Sequence, residues 1–201
     1  MTASINASTS SGVVVTSDTS GNLDIQSGGT TKLSVTSSGV SFTPNGTTIV
    51  SGTAVASTSG TSIDFTSIPS WVKRITVLFN NVGTASINYL QVQLGSGSIQ
   101  TSGYSGSVST LATGISITAT PSSAFYVVNK SATGDTYSGA IVFTLQSSNN
   151  WVMTSAIYGT NLLRNNVAGG SISLSGALST LSITDSSGAS FNAGSINVLY
   201  E

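Results

Sequence analysis

Apolar residues alternate with polar residues in short runs along almost the whole chain, and this two-residue period restricts the fold most. In residues 21–42, "GNLDIQSGGTTKLSVTSSGVSF", Gly and Ser separate three such runs. The apolar positions of these runs are Leu23, Ile25, Leu33, Val35, Val40 and Phe42. A period of two places them on one face of successive strands. Helical periodicity is nearly missing, apart from residues 158–170, which we expect to be a loop with one helical turn. The sequence predicts an all-β protein.

The runs differ in length between two parts of the chain. Residues 1–50 hold four short runs and Phe42 as their sole aromatic residue, which is too little for an independent core. Residues 51–60 are small and polar, as in a linker. Residues 61–201 hold ten longer runs, both Trp and five of the six Phe. We therefore predict an N-terminal intertwined β stalk, a linker and a jelly-roll-like β-sandwich.

The apolar face of residues 21–42 needs a surface to cover it. Three copies of the chain could enclose one narrow core with their half-buried ribbons and leave no strand edge free, which predicts a homotrimer. The ribbon could instead pack on the C-terminal domain of its own chain. Both arrangements bury the same six side chains, which we take as the predicted oligomer core of the stalk.

The chain carries very few charges, namely five Lys or Arg and six Asp or Glu, for a net charge of -1. A surface so close to neutral gives little repulsion between copies and favours association. It has no cluster of basic residues that would bind nucleic acid. Lys73 and Arg74 are adjacent cations that we expect to pair with Asp64 or with a neighbouring subunit. The first residues lack a basic, apolar leader, and no apolar run reaches the roughly 20 residues of a membrane span, so we expect a soluble protein without membrane insertion.

The sequence offers little for catalysis. It has no His, so a conventional serine triad is excluded, and no Cys for thiolate chemistry. The six carboxylates lie on different predicted turns and strands, which disfavours the close acid pair of a glycosidase. The stretch from Asp18 to Asp24 resembles a calcium loop only in its oxygen ligands around a Gly, and a turn explains it as well. We expect no enzyme activity, no metal and no cofactor.

Several segments resemble a domain found in structural proteins of tailed bacteriophages. The resemblance lies in "SGTSIDFTSIPSWVKRITVLFNNV" at 59–82, "LQVQLGSG" at 90–97, "SGY" at 102–104, "YSGAIVFTL" and "NNWVMTS" at 137–155, and the closing 169–201. The first 45 residues also resemble short runs of phage fibres and decoration proteins. The resemblance implies a trimeric protein at the virion surface, assembled in the host cytoplasm, with a major capsid or tail protein as its partner.

Two functions fit this resemblance, a structural protein that decorates or cements the capsid or forms a short fibre, and a tail fibre module that binds a host surface glycan. Trp71, Trp151 and Tyr104 are the candidate glycan contacts. Tyr104 is the better candidate for an exposed contact, because we expect its Gly/Ser-rich segment 95–106 to be a long exposed loop. The two Trp could equally close the ends of the sandwich core, each with its indole N–H bonded. A stalk that folds back several times reaches far less than its contour length, which favours the structural role.

Overall fold

The computed structural model describes residues 23–36, 39–42, 49–112, 114–161 and 163–201. Its chain divides into two compact units, Met1–Thr48 and Ile49–Glu201. The described residues contain strands and turns but no helix, which confirms the all-β prediction. The predicted run "GVVVT" at 12–16 lies outside the described residues.

The described part of the first unit is one antiparallel sheet of three strands in the order β1-β2-β3. Its strands are β1 (Leu23–Ser27), β2 (Thr30–Thr36) and β3 (Gly39–Phe42). Gly28 and Gly29 link β1 to β2 with φ angles of 61° and 73°. A two-residue hairpin turn of this kind needs positive φ at both positions, which glycine adopts without steric cost. The "GG" pair therefore closes the hairpin at Ser27↔Thr30, and a register shift between Ile25 and Gln26 then brings Ile25 opposite Leu33.

The second unit contains fourteen strands among its described residues. They are β4 (Val50–Ser51), β5 (Val55–Ala56), β6 (Ser62–Thr66), β7 (Arg74–Thr84), β8 (Tyr89–Ser96), β9 (Ser98–Ile99), β10 (Ser105–Leu111), β11 (Ile115–Ala119), β12 (Phe125–Asn129), β13 (Tyr137–Ser147), β14 (Asn150–Gly159), β15 (Arg164–Ser173), β16 (Thr180–Asp185) and β17 (Phe191–Tyr200). Every pairing among them is antiparallel.

These strands form two sheets. The large sheet has the order β11-β10-β15-β14-β13-β7-β17-β4, with β5 also on β17, and the small sheet has the order β12-β8-β16-β6, with β9 on β8. The pairs β5·β17, β6·β16, β7·β13 and β8·β12 are nested one inside the next, as when one long hairpin is wrapped into a barrel-like sandwich. Nested pairs distributed over two sheets are the jelly-roll arrangement, so the unit is a jelly-roll-like sandwich in which β10, β11, β14 and β15 widen the large sheet.

The core is built from alternate residues of both sheets. Ile75, Val77 and Phe79 are buried on β7 of the large sheet, while Leu90 and Leu94 are buried on β8 of the small sheet. Strand β14 alternates exposed and buried residues over its whole length. Because a period of two sends successive side chains to opposite faces, one face of each sheet supplies this core. The other face meets solvent along strands such as β14, whereas β16 is buried on both faces.

Three parts of the chain differ from expectation. Residues 164–170 belong to strand β15 and not to a loop with a helical turn. The Ser/Gly-rich β10 was not predicted; it pairs with both β11 and β15. Residues 51–60, expected as a linker, supply β5 and the Ser57 side chain, whose hydroxyl donates to the Ala193 carbonyl oxygen at 2.7 Å. The sandwich unit therefore starts at Ile49, ahead of the predicted boundary at 61.

Candidate interaction surfaces

The register of the N-terminal sheet brings the predicted apolar positions together. Leu23 lies opposite Val35, and Ile25 lies opposite Leu33. Strand β3 continues both rows, because Val35 pairs with residue 40 and Leu33 pairs with residue 42. The side chains of Val40 and Phe42 lie outside the described residues, so their place on this face stays a prediction. We call the four described residues and these two positions the stalk face.

The stalk face is exposed in the single chain. Leu23 has 39% of its surface exposed, Ile25 has 46% and Val35 has 37%. The alternate positions form a polar row, in which Asp24 lies opposite Ser34 and Ser34 lies opposite Ser41. The Thr31 hydroxyl also donates to Asp24 Oδ2 at 3.4 Å. Three short strands with one apolar and one polar face cannot form a core of their own, so the stalk face needs a partner surface.

Tyr104 is buried, and the expectation that it is exposed is wrong. Its hydroxyl accepts from the Leu94 N–H at 2.8 Å and lies 3.0 and 2.9 Å from the Leu94 and Gln100 carbonyl oxygens. Its ring packs edge-on against Phe125 with centroids 4.8 Å apart. Burial raises the pKa of Tyr104 to about 12, although the hydrogen bond from Leu94 acts in the opposite direction. Tyr104 joins the segment after β9 to the core.

The two Trp lie at the end of the sandwich where β7 and β14 begin. Trp151 is buried, and Trp71 is half-buried against the core, which agrees with the core-closing interpretation. The indole N–H of Trp151 has no hydrogen-bond partner, contrary to expectation. A cavity of about 60 Å³ lies beside it, between Ser70, Lys73, Asn149 and Leu178. These aromatic rings therefore do not form an exposed platform on which a sugar could stack.

The opposite end of the sandwich holds a buried polar cluster, where β7, β12 and β16 end and β13 begins. We call it the lysine cluster, and its members are Lys130, Asp135, Tyr137, Asp185 and Thr84. The Lys130 ammonium donates to the Thr84 carbonyl oxygen at 3.2 Å and lies 5.5 Å from the Tyr137 ring centroid. The Tyr137 hydroxyl donates to Asp135 Oδ2 at 3.2 Å. Since unpaired buried charge is costly, this arrangement joins the loops at this end into one unit.

Asp185 is the best-satisfied acceptor of the lysine cluster. Its Oδ2 accepts from the Thr84 and Ser86 hydroxyls at 2.8 and 2.5 Å, and its Oδ1 accepts from the N–H and hydroxyl of Ser187 at 2.9 and 2.6 Å. Burial acts to raise the pKa of Asp185, but the hydrogen bonds outweigh it and hold the pKa below its usual value. Desolvation lowers the pKa of Lys130, and the carboxylates of Asp185 and Asp135 limit that shift.

Sequence reasoning missed the lysine cluster entirely. Lys130 and Asp135 lie five residues apart in a Ser/Thr/Gly-rich segment that looks like an ordinary surface turn. These residues are buried because the ends of four strands meet around them. A local sequence pattern does not indicate that meeting. The scarcity of charged residues could have indicated this cluster. In a chain whose surface consists mainly of Ser and Thr, each charged side chain is a candidate for a specific structural role.

The remaining charged groups have modest roles. Arg74 Nη1 lies 3.3 Å from Glu201 Oε2 in an exposed ion pair, so the expected pairing with Asp64 is wrong. Asp64 accepts instead from the hydroxyls of Ser62 and Ser182. Within the described residues, no three His, Cys, Asp or Glu side chains group as metal ligands. Asp18 of the considered calcium loop lies outside those residues. The described chain has no helix long and apolar enough to cross a membrane.

Comparisons with protein-family models, with curated proteins and with solved structures found no match. The described residues contain an exposed apolar face on the N-terminal sheet, a closed sandwich core and a buried charge cluster that joins loops at one end of the sandwich.

Proposed function

We propose that the protein is a non-enzymatic structural protein of a tailed-phage virion. Three copies associate through their N-terminal sheets and present their sandwich domains on the particle surface, where they decorate or cement the capsid or form a short fibre. The proposal joins the resemblance of the sequence segments to phage structural proteins with the geometry of the two units.

The observation that carries the proposal is the exposure of the stalk face. Leu23, Ile25 and Val35 belong to a sheet with two apolar rows and one polar face. Exposing aliphatic side chains costs roughly 25 cal/mol per Å² relative to burying them, and a flat ribbon can remove them from water only against another surface. Three ribbons around one axis bury all three faces at once and leave the polar faces wetted.

The sandwich supports the same role. Its carboxylates are engaged by hydroxyl or guanidinium groups nearby, as Asp64, Asp185 and Glu201 illustrate. Its exposed surface is mostly uncharged, which suits broad hydrogen-bonded contact within an assembly. The glycan-binding alternative has less support, since Tyr104 and Trp151 are buried and cannot serve as exposed stacking surfaces. Structural attachment is therefore the function that the geometry favours.

Immunogold electron microscopy of intact particles tests the proposal, with antibody raised against residues 61–201. We expect label spread over the head, or confined to the tail if the protein forms a short fibre. Antibody preabsorbed with the purified protein is the control and should remove the label. If no particle is labelled above that control, the virion role is wrong.

A further inference from the structure

The two sheets of the sandwich expose four edges, and three of them are protected against pairing. Strands β4 and β5 at one edge of the large sheet contain two residues each. Strand β6 at one edge of the small sheet carries Asp64 at its centre, and β12 at the other edge has a register shift between Tyr126 and Val128. Short strands, inserted charges and bulges are the usual devices against edge-to-edge association.

Strand β11, the fourth edge, has none of these devices. It pairs with β10 in an unbroken register over five residues, from Leu111↔Ile115 to Ser107↔Ala119. Its sequence "ISITA" contains no charge, no Pro and no Gly. Alternate backbone N–H and C=O groups of such a strand point away from β10, and no other strand among the described residues pairs with them. This edge can therefore accept another strand along its full length.

The side chains of β11 are also unusually exposed for their type. Ile115 has 72% of its surface exposed and Ile117 has 69%, both on the same face of the strand. Ser116 is exposed on the other face, and the Thr118 hydroxyl lies 3.4 Å from that of Tyr89. A strand that paired with β11 would bond its free backbone groups and would also cover these two isoleucines.

We propose that β11 is a docking edge for β11 of a second copy of this chain, paired antiparallel about a twofold axis at Ile117. In this register Ile117 faces its own copy and Ile115 faces Ala119. Ser116 then faces Thr118, so that one face of the new pair is entirely apolar and the other carries hydroxyls only. Cross-strand pairs of like character stabilise a sheet, whereas a mixed pairing would oppose apolar and polar groups.

A second copy fits this edge better than a different partner does. An isologous contact needs a strand that is complementary to itself, and the alternation of "ISITA" provides that around its central residue. The partner edge brings no repulsion, because β10 and β11 carry no charged residue and the net charge of the chain is -1. Pairing joins two large sheets into one continuous sheet and removes the unprotected edge from both copies.

The twofold contact goes beyond the proposed function and is independent of it. The proposed trimer uses the stalk face, and the β11 contact uses the β11 edge of the large sheet in the other unit. When each threefold cluster pairs with one other, the two contacts together give a closed assembly of six chains. Variants of Ile25 and of Ile117 therefore report on the two contacts separately.

The test is disulfide trapping in the full-length protein. The natural chain has no cysteine, so Ile117→Cys introduces a single thiol. Directly opposed residues of an antiparallel pair lie about 4.5–5.5 Å apart at Cα, within the range of a disulfide. We expect mild oxidation to convert this variant almost completely into covalent dimers. The matched control is Leu163→Cys, at a site with 74% exposure in the turn before β15, which should stay mostly monomeric on a denaturing non-reducing gel.

A second variant, which contains no cysteine, tests the same contact without cross-linking. Ile117→Lys places a charge on the edge, and light scattering should then show half the mass of the unsubstituted protein at the same concentration. Ile25→Ser should leave trapping of Ile117→Cys intact even if it dissolves the proposed trimer. The proposal is overturned if Ile117→Cys cross-links no faster than Leu163→Cys, or if Ile117→Lys leaves the mass unchanged. A β11 edge that serves a different protein would give that same negative result.

Discussion

The same alternation of apolar and polar residues leads to different burial in the N-terminal sheet and in the sandwich. In the sandwich, apolar faces of two sheets oppose one another, and residues such as Phe143 and Ile141 are completely buried. In the N-terminal sheet, Leu23 and Ile25 occupy equivalent alternate positions but keep about two fifths of their surface exposed. The difference shows that a period of two determines which side chains share a face of the sheet. The number and length of the strands determine whether that face is buried within the same chain.

Truncating one apolar side chain in each region should give the largest contrast. We expect Phe143→Ala to lower the free energy of unfolding of the sandwich by about 3–5 kcal/mol, because it removes a fully buried ring and leaves a cavity. Urea denaturation followed by fluorescence of Trp71 and Trp151 measures this effect. The matched variant Leu23→Ala should change that transition by less than about 0.5 kcal/mol. Equal losses from both variants would show that the two regions share one core.

Neutralising one carboxylate in each region should give the next largest difference. Asp185→Asn leaves the hydroxyls of Thr84, Ser86 and Ser187 without a charged acceptor and removes a countercharge of Lys130. We expect a loss of about 2–3 kcal/mol in the same urea experiment. Asp24→Asn, on the polar row of the N-terminal sheet, should be nearly neutral. A neutral result for Asp185→Asn would mean that the lysine cluster does not stabilise the sandwich.

Alkaline pH should weaken the sandwich through its buried phenols. The pKa of Tyr104 is raised from 10.0 to about 12, so the folded state keeps its proton while the unfolded chain loses it near pH 10. Stability from this group is therefore complete below pH 10 and is lost as the pH rises through about 12. Tyr104→Phe should cost about 1 kcal/mol at neutral pH and should flatten the alkaline decline of the urea midpoint. An unchanged decline in the variant would assign the effect to other groups.

The exposed ion pair between Arg74 and Glu201 should have the smallest effect. Both side chains are well solvated, so the attraction is weak and is screened by salt. We expect Glu201→Gln to change the free energy of unfolding by no more than about 0.5 kcal/mol. A loss as large as that of Asp185→Asn would contradict the distinction between buried and exposed charges in this molecule.

Much of the fold was predictable because its signals are local. Strands β6, β7 and β17, for example, follow apolar runs of period two bounded by Gly, Ser or Asn, and all ten predicted runs of the sandwich contain strands. The first half of β15 was not predictable in this way. Its Asn166 is completely buried and accepts from the Thr110 hydroxyl and the Asn129 N–H, both at 3.1 Å. Tertiary partners there satisfy the side-chain oxygen of Asn166, a residue that is typical of loops in isolation.

The candidate sites were less predictable than the fold. Alternation within each strand groups Leu23 with Ile25 and Leu33 with Val35, and the pairing of β1 with β2, which includes a register shift after Ile25, brings these two groups opposite each other. The same reasoning failed for Tyr104, which lies among Gly and Ser in sequence yet is held by backbone groups of Leu94 and Gln100. Lys130 is buried through contacts that distant segments make. Patterns that repeat along the chain therefore predicted the strands, whereas the burial of single residues depended on the assembled structure.

The mass of the protein in solution tests the central claim most directly. Size-exclusion chromatography with light scattering should give a multiple of three chain masses for the unsubstituted protein. Ile25→Ser combined with Leu33→Ser should divide that mass by three while leaving the urea transition of the sandwich in place. A pair of polar-face changes, Asp24→Asn with Ser34→Ala, serves as the control and should keep the full mass. A monomeric unsubstituted protein, or an oligomer whose mass does not fall on loss of the stalk face, would contradict the account.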